Sequence, residues 1–175
     1  KFHLVFNPVG LGFSKGNNAG LEKVDGEYIV FLNNDTIVNE KVFPYMIKFL
    51  KEHPDCGAAT SKVNLRNGGI DDASHRSFPT PWNGFCHFSG LEKLFPKSKF
   101  FASYSMTYVE DMEKTHEIDA LAGAFMIMPK TTGEKVGWWA TSRKVRGRKT
   151  FRAALMAALK AAGPDATVRT VDCHV

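Results

Sequence analysis

The sequence has no apolar run approaching the ~18 residues of a membrane-spanning helix; its longest, at 28–32 and 124–128, are short. No charged-then-apolar leader opens the chain. The expectation is therefore a soluble, cytoplasmic protein, or one that meets the inner face of a membrane only at its periphery. Cysteine is scarce: Cys56, Cys86 and Cys173 are far apart, odd in number and form no C-x-x-C pair. That argues against a disulfide framework and a zinc site, fits a reducing compartment, and leaves each thiol as a small buried hydrophobe. Histidine offers no cluster either, since His75, His87 and His116 are scattered with no i, i+4 pair. Each reads as a surface or partly buried imidazole. Arginine is nearly missing from the first 139 residues, which hold 13 Lys and 2 Arg against 16 Asp+Glu. The net charge of +5 comes from residues 140–175, with 8 basic against 2 acidic side chains. A basic balance confined to one terminal segment gives no reason to expect the body of the domain to bind nucleic acid.

What is present suffices for one domain: 175 residues, 43% hydrophobic and 12% aromatic, can bury a sizeable core. Residues 3–6 (HLVF) read as a short strand ending at Asn7-Pro8. A glycine-rich loop then runs into a helix expected over 15–24 and closed by Asp25-Gly26. The apolar run at 27–32 is continuous rather than alternating, as in a strand covered on both faces. Strand, helix, strand is a βαβ unit, so the class expected is α/β, with a mostly parallel sheet flanked by helices. Val42, Phe43, Met46, Ile47, Phe49 and Leu50 mark an amphipathic helix over 39–52, with Pro44 in its first turns and Pro54 ending it. A strand at 57–63, a turn at Asn67-Gly68-Gly69, a helix at 82–94 and a strand at 117–128 follow. Phe78, Trp82, Phe85 and Phe88 are spaced as a helix face, read first as core and second as an acceptor-binding lip.

After Trp139 the composition changes. Residues 140–175 have 8 Ala, no Glu and one aromatic, Phe151, and 151–162 is full of helix formers. The segment is either a basic helix appended to the domain or sequence foreign to it.

The loop GLGFSKG fails two phosphate-binding templates. Gly16 is followed by Asn17-Asn18 rather than Lys-Ser/Thr, and position 15, where a G-x-G-x-x-G opening needs glycine, is Lys15. A glycine loop feeding a helix N-terminus still suits an anionic ligand. Asp35, in the stretch NNDT, follows a buried strand. In open α/β sheets ligands bind outside the carboxyl ends of strands, and a carboxylate there can bind Mg²⁺ or Mn²⁺ beside a diphosphate. A strand-end turn is the plainer alternative.

The run NPVGLGFSKGNNAGLEKVDGEYIVFLNNDT resembles the donor-binding half of a family 2 glycosyltransferase of GT-A fold, of the rhamnosyltransferase-like kind. Downstream, RSFPTPW, GLEKLFPKSKFF and EIDALAGAFMIMPK resemble the acceptor-side half in the same order, so the likeness spans about residues 3–138. The resemblance implies metal-assisted, inverting transfer of a sugar from a nucleotide-diphosphate sugar to a saccharide or lipid-linked acceptor, as in cell-wall polysaccharide synthesis. It implies that Asp35 binds the divalent cation, Mg²⁺ or Mn²⁺. Gly12, Lys15, Asn18, Asn33 and Asn34 would line the donor pocket, and Asp119, Gly123 and Ala124 the acceptor side.

Two departures qualify the likeness. The family opens with two strands that this chain starts after, and it continues beyond Val136-Gly137 into an acidic segment that supplies the general base. Here the sequence reads WWATSRKVRGRK. The expectation is a partial transferase domain over 1–139 with little turnover, and a tail, 140–175, not native to the fold, as out-of-frame translation would give. Glu110-Asp111 is a substitute base at best and a solvated loop by default. The competing expectation is a non-catalytic module whose basic C-terminal helix docks to an anionic membrane or nucleic acid.

Overall fold

A computed structural model describes residues 3–71, 74–109, 114–139 and 167–171, with His75 and the last segment described by chain course alone. The elements in chain order are α1 (Gly12–Leu21), β1 (Tyr28–Leu32), α2 (Val42–Glu52), β2 (Cys56–Ser61), β3 (His75–Arg76) and α3 (Pro81–Ser89). There follow α4 (Leu91–Leu94), β4 (His116–Glu117), β5 (Ala120–Leu121), β6 (Phe125–Pro129), α5 (Lys130–Val136) and β7 (Thr167–Val171). Five strands form one sheet in the order β1-β6-β2-β7-β4, while β3 and β5 pair separately.

The α/β class holds, but the sheet is not mostly parallel. β6 runs antiparallel to both neighbours, with Leu32 opposite Phe125, Phe31 opposite Met126, and Ala59 opposite Ile127. β4 is antiparallel to β7, and among the described residues only β2 and β7 pair parallel. β1 and β2, joined through α2, do run the same way, yet β6 is inserted between them. The strand expected at 3–6 does not form: those residues are exposed and pair with no strand among the described residues, so of the expected strand–helix–strand unit α1 and β1 remain.

The continuous apolar run reads correctly as a strand covered twice. From β1, Ile29 and Phe31 face a cluster with Ala58, Met126, Met128, Ile118, Leu121 and Trp139. Tyr28 and Val30 face the other way, towards Met46, Phe49 and Leu50 of α2 with Phe125 and Ile127. The apolar stripe of α2 is as expected, and Pro44, third in the helix, removes a donor the first turn leaves unbonded anyway. Cys56 and Cys86 are buried, while Cys173 lies outside the described residues.

Two expected elements break up. The helix at 82–94 divides at Gly90, whose φ of 79° ends α3 in a left-handed cap. The strand at 117–128 becomes β4, β5 and β6, interrupted at Asp119 and Gly123. α3 itself starts from a reciprocal cap, in which Asn83 N–H donates to Thr80 Oγ1 (3.1 Å) and Thr80 N–H to Asn83 Oδ1 (2.6 Å), with Pro81 as first helical residue. Of the tail, β7 runs beside β2; the helix expected at 151–162 and the acidic pair Glu110-Asp111 lie outside the described residues.

Candidate functional site

The carboxyl end of β1 opens into Asn33–Thr36, and that turn is fastened to the strand beside it. Asn33 N–H donates to Ala124 O (3.0 Å), prolonging the β1–β6 ladder by one rung, and Thr36 N–H donates to Asn33 O (3.3 Å). Thr36 Oγ1 reaches the same Ala124 oxygen at 3.5 Å. Asn33, Asn34 and Asp35 are exposed, so three polar side chains stand on a pinned backbone.

The N-terminus of α1 closes over this end. Gly12 opens the helix at φ +71°, a conformation that L side chains rarely adopt. The next residue, Phe13, lies over Gly123, where a Cβ would come within 3.1 Å of its ring. Phe13 also meets Trp139 edge-on at 4.9 Å between centroids, and Trp139 meets Phe31 of β1 at 5.0 Å. The helix is held further by Asn18, whose Nδ2 donates to Trp139 O (2.8 Å) while its Oδ1 accepts from Trp139 N–H (3.2 Å). Lys15 is exposed on the same helix.

Most of the residues singled out from the sequence are thus brought together: Gly12, Gly123, Ala124 and the turn Asn33-Asn34-Asp35 share one end of the β1–β6 pair. Asp119 stands apart, between β4 and β5. Its Oδ2 accepts from Phe78 N–H (3.3 Å), and its charge lies near Tyr108, whose hydroxyl is pushed above its ordinary pKa first by burial and then by Asp119. Phe13, Trp139 and Tyr108 were not anticipated. The paired tryptophans were the available signal for Trp139, but nothing in the spacing tied Trp139 to Asn18, 121 positions away.

The family model for "Glycosyl transferase family 2" matches residues 1–114. The chain belongs to glycosyl transferase family 2. Two curated relatives, each a "Poly-beta-1,6-N-acetyl-D-glucosamine synthase", one from Staphylococcus epidermidis strain RP62A and one from Staphylococcus epidermidis, are 24% identical over 140 residues. The match covers 80% of this chain and 29% of each relative, so the chain spans less than a third of their length. No solved structure matches.

In this family 2 domain, no group of three His, Cys, Asp or Glu able to hold a metal ion occurs among the described residues. At the turn the chain supplies one exposed carboxylate, Asp35, beside the amide oxygens of Asn33 and Asn34. That fits Mg²⁺ or Mn²⁺ shared with a substrate diphosphate, and does not fit an all-protein cage.

Proposed function

We propose that this family 2 glycosyltransferase domain binds a nucleotide-diphosphate sugar at the carboxyl end of β1 and belongs to an enzyme transferring the sugar to a saccharide or lipid-linked acceptor. The observation that carries the reading is the NNDT turn, pinned to Ala124 with its side chains exposed and the start of α1 beside it. Ligands of α/β sheets bind at that end of the strands, and backbone N–H groups at a helix N-terminus favour an anion. Asp35 would hold the cation, Gly12 and Lys15 would face the diphosphate, and Asn33 and Asn34 would bond the nucleotide sugar. When bound, the cation neutralises charge on the departing diphosphate. Gly123 and Ala124 form the floor on which an acceptor meets the donor, with Asp119 and Tyr108 towards its far side.

A saccharide acceptor is supported by relatives whose names make them synthases of a poly-N-acetylglucosamine. They make N-acetylglucosamine a donor sugar to test beside rhamnose, the sugar to which the sequence likeness points. Inverting single displacement needs a base for the acceptor hydroxyl. The stretch following Trp139 is basic, so we expect the isolated chain to turn over little. The site draws on no described residue beyond Trp139, which supports a functional unit of 1–139 to which 140–175 is incidental. The basic helix of the rival binding-module reading falls outside the described residues, and nothing in the structure favours it.

Calorimetry with a nucleoside diphosphate, with and without Mn²⁺, tests the assignment. Wild type is expected to bind at least about tenfold tighter with the metal, and Asp35→Asn to lose that difference. Equal metal dependence in both proteins would remove Asp35 from the site.

A further inference from the structure

Helix α3 is turned inside out for a protein surrounded by water. Its buried residues are the polar Asn83 and the small Cys86, whereas Trp82, Phe85 and Phe88 are 42%, 56% and 90% exposed. Asn83 is inward for a reason, since it caps the helix and donates through Nδ2 to Phe78 O and to Ser77 Oγ (3.2 Å). The exposed Phe85 and Phe88 have no such role. They continue into α4 and the loop after it, where Leu94 is 71% and Phe100 63% exposed. Trp82 packs against Phe100, rings tilted with centroids 5.0 Å apart, and donates from Nε1 to Phe100 O (3.0 Å), so this face is assembled rather than a set of stray side chains.

The charges on the same stretch are sorted by sign. Between Phe78 and Thr107 the acidic side chain is Glu92, which is 7% exposed, its Oε1 taking a bond from Ser105 Oγ (2.7 Å) and lying 3.0 Å from His87 Nδ1. The exposed charges there are Lys93, Lys97 and Lys99. Exposed Trp and Phe side chains followed along the chain by exposed lysines, with the acidic side chain of the stretch buried, are complementary to one surface in particular, an anionic lipid headgroup layer above acyl chains.

We propose that the outward face of α3 and α4 docks the protein on an anionic lipid surface. The aromatic rings enter the headgroup boundary while the lysines stay among the phosphates, so attraction and apolar burial act on the same face. This goes beyond glycosyl transfer and does not rest on it, because no residue of the donor turn takes part. It places the domain against the bilayer by its own body rather than through residues 140–175.

Sedimentation of the full chain with phosphatidylcholine vesicles, made with and without phosphatidylglycerol, tests the proposal. Wild type is expected to sediment with the anionic vesicles and to be released by salt. Phe85→Ser/Phe88→Ser is expected to weaken partitioning at least about tenfold. Lys93→Gln/Lys97→Gln is expected to weaken it about thirtyfold on anionic vesicles and hardly at all on neutral ones. All four side chains are exposed, so circular dichroism of both variants should match wild type. Three results would overturn the proposal. One is no partitioning by wild type; another is equal partitioning by all three proteins, which moves adhesion to the basic tail. The third is self-association of wild type, without vesicle binding, that Phe85→Ser/Phe88→Ser abolishes.

Discussion

Asn18 answers both bonding groups of the Trp139 peptide with the two ends of one amide. Replacing it by alanine removes both bonds from a partly buried site, at a cost of about 1–3 kcal/mol. Urea unfolding of Asn18→Ala measures this directly, and an unchanged midpoint with weakened donor binding would instead make Asn18 a ligand contact. Tyr108 has a different signature. Its phenol is held above the ordinary 10.0, by burial first and the Asp119 carboxylate second, so the fold favours the neutral form. That contribution is complete below the unfolded value and is lost as pH rises through the raised one. Tyr108→Phe should therefore move the alkaline unfolding midpoint upward in a near-ultraviolet dichroism titration. At this scale Asp35 was legible because a polar turn after a buried strand is visible in one dimension. Asn18's engagement was not, because a side-chain-to-backbone pair so distant in sequence leaves no periodic trace.

Among the elements, α5 ends in a compact stop. Gly137 takes φ 76°, Trp138 N–H donates to Gly133 O (3.0 Å) and Gly137 N–H to Glu134 O (3.3 Å). This is the paired bonding of a Schellman motif, and Trp138 folds its ring back onto Gly133, where a Cβ would collide with it. Trp138 itself sits at φ 56°, unusual for a bulky residue. Gly133→Ala raises helix propensity by about 1 kcal/mol yet must expel the indole. Net destabilisation of about 1–3 kcal/mol is expected, with red-shifted tryptophan emission as the check. The amphipathic α2 was readable because its stripe and its burial coincide. α3 misled for a physical reason: periodicity identifies a face but not its direction, and the capping demands of Asn83 took the inward side. Phe78, by contrast, is buried, as a core reading had it.

Over the whole molecule, connectivity was legible and adjacency was not. The apolar runs gave β1, β2 and β6, but nothing in them says that β6 enters between the other two and reverses the sheet's sense. Nor could composition foresee Thr167–Val171 running beside β2. Two strands, β6 and β2, separate β7 from β1. A chain ending at Trp139 should therefore bind nucleoside diphosphate within about twofold of the full chain, while its thermal midpoint falls because β2 loses a neighbour. Calorimetry and a melting curve read both, and a tenfold loss of binding would bring the tail into the functional unit. The β1–β6 ladder also dictates an order in time. Within the described sheet β1 has β6 as its neighbour, and Leu32 waits for Phe125. During synthesis the ribosome releases an apolar strand long before anything exists to pair with it, and the nascent chain must keep it from sticking elsewhere. The donor turn cannot take shape until translation has passed Ala124, and its helix is not clamped until Trp139 has emerged.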